Sequence, residues 1–113
     1  MIDNETWILE VGDDIIEKKT KSSYESLTLL EQSIYCLWVI DYAVRNAGSL
    51  DPIEDLHPSA IDELIANAKA QGWKKIAHLI HCSEEEEEDD FCDRYCQDFD
   101  ESCNELRLVY DNR

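Results

Sequence analysis

Residues 27–49 read LTLLEQSIYCLWVIDYAVRNAGS. Thr28 with Glu31 three positions later is the capping-box arrangement, in which each side chain satisfies a backbone N–H of the other residue. From there Leu30, Ile34, Leu37, Trp38 and Asp41 recur at spacings of three and four, with Leu27, Tyr42 and Arg45 at the margins. The run Leu37-Trp38-Val39-Ile40 is too broad for a one-sided surface helix, which places this helix at the centre of a core. Asn46-Ala47-Gly48-Ser49 stops it, because Gly48 accepts the left-handed backbone that closes a helix. The predicted helix runs from a cap at Thr28 to about Asn46. Asp41 interrupts its apolar stripe with Arg45 one turn away, and the expected arrangement is an intrahelical ion pair at the edge of the core.

Working towards the N-terminus, Ser22 to Ser26 reads as a connection. Before it, Trp7, Ile8, Leu9, Val11, Ile15 and Ile16 form a ragged helical stripe over Glu5–Lys19. Gly12 weakens that helix interior by roughly 1 kcal/mol relative to Ala. Lys18, Lys19 and Lys21 complement its carbonyl end.

Working the other way, Leu50 to Pro58 carries two prolines, which restrict helix continuation, and is expected to be a loop with at most a short helical turn. Ala60, Ile61, Leu64, Ile65 and Ala68 then share a helical face that ends at Gly72, a glycine C-cap. Trp73, Ile76, Ala77, Ile80 and His81 supply a shorter face, so two helices pack antiparallel across the Gly72 corner. Glu84 to Asp90 is seven consecutive acids, whose mutual repulsion predicts a solvated loop. Cys92, Tyr95, Cys96 and Phe99 return to helical spacing. Asp98-Phe99-Asp100 reads as a change of direction before Leu106, Val109 and Tyr110. The expectation is an all-α chain, one domain over 1–113, of about five helices with an acidic surface loop at 84–90 before the C-terminal helix.

The 113 residues carry 27 acidic and 10 basic side chains, a net charge of −17. Residues 84–113 alone hold 13 acids against three basic residues. Such a field repels nucleic acid and anionic membrane and attracts basic protein surfaces. No basic patch, glycine-rich phosphate loop, metalloprotease helix or nucleophile elbow is present, and no enzymatic activity is expected. The start lacks the charged and apolar regions of a signal peptide, and five cysteines make an odd count. The reading is a cytoplasmic protein with reduced thiols.

One constellation has metal-ligand chemistry. His78 and Cys82 are four apart, as are Cys92 and Cys96, and His81 lies between the pairs, so two helices offer zinc ligands. Against it, there is no CxxC pair, and carboxylates crowd the connection. No cofactor or metal is assigned on this pattern.

Leu27-Thr28-Leu29-Leu30-Glu31-Gln32 opening a long helix, Asp41-Tyr42-Ala43-Val44-Arg45-Asn46-Ala47-Gly48 ending it, the helix–Gly72–helix unit over Ala60–Leu79, and Phe99-Asp100 before Tyr110 together resemble the bacterial DNA-mimic proteins of the "DNA mimic protein nineteen" type. The resemblance spans residues 24–113. Where that family carries Asn-Gly-Gly, this chain carries Asn46-Ala47-Gly48. The resemblance implies a helical protein that occupies the DNA-binding surface of a transcription factor, often as a homodimer. The residues themselves supply the charge. Glu84, Glu85, Glu86, Glu87, Glu88, Asp89 and Asp90, with Asp93, Asp98, Asp100 and Glu101, are the expected contacts to a basic protein, where carboxylates meet the Arg and Lys side chains that otherwise hold phosphates. The alternatives are a structural or assembly protein whose acidity serves solubility, and a zinc-stabilised binding module.

Overall fold

The capping box at Thr28 forms. Glu31 N donates to Thr28 Oγ1 at 3.1 Å and Thr28 N donates to Glu31 Oε1 at 2.9 Å. It opens α2 (Leu29–Tyr42), whose Ile34, Leu37, Val39 and Ile40 are fully buried, as expected of a central helix. The helix then widens into a π segment, Ala43–Ala47, and closes on Gly48 at φ +63°.

The computed structural model describes residues 2–81 and 87–112, all helix and connection with no strand among them. Six α-helices are present there: α1 (Asn4–Lys21), α2, α3 (Asp51–Leu56), α4 (Ala60–Gln71), α5 (Lys74–Ile80) and α6 (Glu88–Asp111). The added helix is α3, where a loop with a short turn was expected. Pro52 stands in its first turn, where a missing N–H costs nothing. A six-residue helix does not persist alone. Buried Ile53 ties it to the core, a burial worth about 2 kcal/mol.

Buried side chains from all six helices join one cluster around α2. Helix α1 crosses α2 at Gly12, where a Cβ would fall 2.4 Å from Trp38 Cδ1. Gly12 is therefore a close-approach residue, and its cost in helix propensity is offset by the packing of Trp38. Asn67 Nδ2 donates to the hydroxyl of buried Ser33 at 3.0 Å, which joins α4 to α2.

Helices α4 and α5 meet at Gly72, φ +75°, as the glycine signal predicts. Helix α5 is then held at both ends by α6. The Glu105 carboxylate accepts from Lys75 N at 3.1 Å and Ile76 N at 3.0 Å, and Arg94 Nη1 donates to the carbonyls of His78 at 2.8 Å and Leu79 at 3.0 Å. An anion at the N-terminus and a cation at the C-terminus both complement the helix dipole.

Helix α6 runs 24 residues without the change of direction expected at Asp98-Phe99-Asp100. Phe91, Tyr95, Phe99, Cys103 and Leu106 are all buried and follow one helical face, so burial of Phe99 holds the backbone straight through its two acidic neighbours. Glu88, Asp89 and Asp90 belong to its first turn rather than to a loop. Acids there face the positive end of the dipole, which offsets their mutual repulsion. Glu84, Glu85 and Glu86 lie outside the described residues.

Candidate metal centre

The polar side chains that converge inside this fold come from four places in the chain. Tyr24 lies in the α1–α2 connection, Cys36 in the second and third turns of α2, His57 just after α3, and Ser59 and Glu63 at the start of α4. Leu27, Ile53 and Ala60, all buried, bring these segments together. Tyr24 Oη donates to Glu63 Oε1 at 2.7 Å and lies 3.6 Å from Cys36 Sγ. His57 Nε2 and Ser59 Oγ both bond Glu63 Oε2. The His57 ring packs 4.8 Å from the Tyr24 ring and edge-on to Tyr35 at 5.4 Å.

One ligand atom each from Cys36, His57 and Glu63 fall within 4.8 Å of one another. Four-coordinate zinc with bonds of about 2.0–2.3 Å keeps its ligands roughly 3.3–3.6 Å apart, so the three side chains would have to draw closer to surround an ion. Sulfur, imidazole nitrogen and carboxylate oxygen are all zinc donors. Tyr24 Oη contacts both Cys36 and Glu63.

The cluster's titrating groups differ in direction. Burial raises the Glu63 pKa, but hydrogen bonds from Ser59, Tyr24 and His57 outweigh it and hold the carboxyl below its usual range. Burial pushes the Cys36 thiol up to about 12, against the bond from Tyr24 and with the Glu63 charge adding to the rise. Burial and the bond to Glu63 raise the Tyr24 phenol well above its ordinary value. The cluster holds a carboxylate and a protonated thiol with no Lys or Arg ion pair among the described residues. A divalent ion bound here would have to displace the thiol proton.

Sequence spacing pointed elsewhere. His78 and His81 are exposed, Cys92 is buried and Cys96 exposed. None of the four belongs to the converging group, and Cys82 lies outside the described residues. Cys36, Cys92, Cys96 and Cys103 are free thiols. Nothing in sequence spacing flagged Cys36, His57 and Glu63 together. The one local sign is His57, Ser59 and Glu63 bracketing a helix start.

A second buried polar group lies further along α2. Asp41, 4% exposed, accepts from Arg45 Nε at 2.8 Å and from the fully buried Tyr95 hydroxyl at 2.9 Å. Arg45 also pairs with Glu5 and lies over the Phe99 ring at 4.7 Å. Burial lowers the Arg45 pKa, but its bond to Asp41 and the charges of Asp41 and Glu5 raise it further still. The expected pair forms at the core edge, with Asp41 buried and Arg45 exposed, and the Tyr95 hydroxyl ties it to α6.

The acidic residues singled out by sequence divide by position. Glu87, Glu88, Asp89, Asp90, Asp93, Asp100 and Glu101 are exposed and Asp98 is half-buried. With about 3.6 residues per turn, Asp89, Asp93 and Asp100 line up along one side of α6. Glu101 pairs with Lys75 at 3.5 Å, and Glu88 accepts the Leu50 N–H. No described helix is long and apolar enough to cross a membrane.

Comparison of the chain with family models, with curated proteins and with solved structures gives no match.

Proposed function

We propose that this chain is a noncatalytic binding module whose corner between α2, α3 and α4 is closed by a zinc ion on Cys36, His57 and Glu63. The observation that carries the proposal is the convergence of thiol, imidazole and carboxylate within 4.8 Å across segments that no regular element joins. Two features favour a structural over a catalytic ion. The Cys36 side chain is fully buried, and Tyr24 and Ser59 already cover Glu63, which leaves little room for a substrate. Burial also keeps Cys36 protonated without metal, which opposes its use as a nucleophile. Cobalt(II) titration tests this reading. A thiolate-to-cobalt absorption band that zinc abolishes and that is missing in Cys36→Ser supports it; no band at stoichiometric metal removes it.

The exposed stripe of Asp89, Asp93 and Asp100 favours a second reading, that the acidic face of α6 meets a basic protein. Antagonism of a DNA-binding protein, as the resemblance to DNA-mimic proteins implies, is one form of it. Affinity capture from nuclease-treated lysate at low and high salt, with an equally acidic unrelated protein as control, tests it. Enrichment of one basic protein, released by salt and by duplex DNA, supports mimicry. No enrichment over the control leaves the acidity serving solubility.

A further inference from the structure

Where α2 ends, its π segment and α3 leave a cleft of about 360 Å³ lined by Tyr42, Asp51, Pro52, Asp55 and Leu56. Tyr42 is 43% and Leu56 39% exposed, although both are apolar enough to be buried elsewhere. Pro52 and Leu56 are four residues apart on α3, and so are Asp51 and Asp55. An apolar column thus runs beside an acidic one. Neither aspartate forms a salt bridge among the described residues. Like charges at this spacing repel, and a cation set between them removes that cost. Beyond Leu50, whose N–H bonds Glu88, the acidic first turn of α6 extends the negative rim.

We propose that this cleft receives an arginine side chain presented by a basic protein, a proposal that rests on the basic-partner reading and names where that partner docks. Charge complementarity selects a cation, and the apolar wall selects one with a long aliphatic stem. The methylenes would lie along Pro52 and Leu56 while the guanidinium stacks on the Tyr42 face opposite Trp38, which stacks on that ring at 5.8 Å, and pairs with Asp51 and Asp55. Arginine is preferred to lysine because its flat, weakly hydrated head both stacks on an aromatic ring and bonds two carboxylates.

The test is a titration of the full chain, followed by amide and side-chain NMR, with the peptide acetyl-Ala-Leu-Arg-Ala-Leu-Arg-amide and with its citrulline counterpart. Saturable shifts at Tyr42 and Leu56, at least fivefold weaker for the citrulline peptide and for the double variant Asp51→Asn, Asp55→Asn, are expected. Both aspartates are exposed, so that variant should keep the native spectrum. Shifts confined to Asp89, Asp93 and Asp100 would overturn the cleft and leave the basic-partner reading standing. Equal binding of the citrulline peptide would overturn the ionic argument for the cleft. No saturable shift anywhere on the molecule would overturn both.

Discussion

Two polar clusters hang from the same helix only five residues apart, yet they solve the problem of burial in opposite ways. Around Asp41 the carboxylate finds a guanidinium on its own helix and a phenol on α6, so charge and hydrogen bonds close within the protein. Around Cys36 the carboxylate of Glu63 is held by Tyr24, Ser59 and His57, and a neutral, protonated thiol lies beside it. The first cluster is complete, with no donor set left over. The second has the donors of a metal site, with no Lys or Arg among the partners of its carboxylate. Burial alone therefore does not mark a functional group; what matters is whether its charge is answered by the chain.

The completeness of the Asp41 junction makes it the place where a single change costs most. Asp41→Ala strands the Tyr95 hydroxyl in a fully buried position and leaves Arg45 with only Glu5. A loss of about 3 kcal/mol is expected in urea denaturation. Asp41→Asn keeps an acceptor for Tyr95 and should cost roughly half as much. A cost under about 1 kcal/mol for the alanine variant would mean the junction relaxes, and the contrast between the clusters would collapse.

The next effect concerns the other cluster. An ion that binds only the folded chain stabilises it by about 2.7 kcal/mol at a hundredfold excess over its dissociation constant. That gain should appear with zinc, vanish in Cys36→Ser and His57→Ala, and survive in Asp41→Asn. Because the Cys36 thiol is raised to about 12, zinc must expel its proton, so apparent affinity should rise roughly tenfold per pH unit near neutrality. Equal zinc stabilisation in Cys36→Ser would place the metal elsewhere.

How far these clusters were legible follows from the kind of signal each leaves. Thr28 with Glu31, Gly48 and Gly72 announce helix ends through local chemistry, and the structure places caps at all of them. Helix α3 leaves no such signal, because Ile53 reaching the core stabilises it. The first turn of α6 was hidden by seven adjacent acids, since repulsion is visible in a sequence while a helix dipole supported by Phe91 and Tyr95 is not. Asp41 and Arg45 were recognisable as an i,i+4 pair, but the burial of Asp41 depended on Tyr95, 54 residues away. Cys36, His57 and Glu63 share no motif spacing at all, whereas His78, Cys82, Cys92 and Cys96 do. Periodicity finds ligands on a common helix face; it is blind to those that a loop brings back.

A smaller effect separates the two phenols. Tyr95→Phe removes a bond from a site with no solvent and should cost about 1–1.5 kcal/mol. Tyr24→Phe removes a bond from a half-buried group whose acceptor, Glu63, keeps Ser59 and His57, so its cost should be lower. A reversed order, measured under identical denaturing conditions, would make the Tyr24 cluster the tighter of the two without any metal.

The smallest effect is a difference in slope. Glu63 titrates below the ordinary glutamate value of 4.5 in the folded chain, so the unfolded chain binds its proton more readily. The stability it contributes is thus fully present above about pH 4.5 and is lost as pH falls through the lower folded value. Acidification has an opposing effect on this protein, because a net charge of −17 shrinks and self-repulsion eases. That relief is shared by the wild-type chain and Glu63→Gln, so their difference isolates the cluster. With metal chelated, the gap between them should stay constant from neutrality to about pH 5 and narrow below 4.5. A gap that stays constant to pH 3 would mean that Glu63 keeps its place without its charge, and the hydrogen bonds of Tyr24, Ser59 and His57 would not be what holds it ionised.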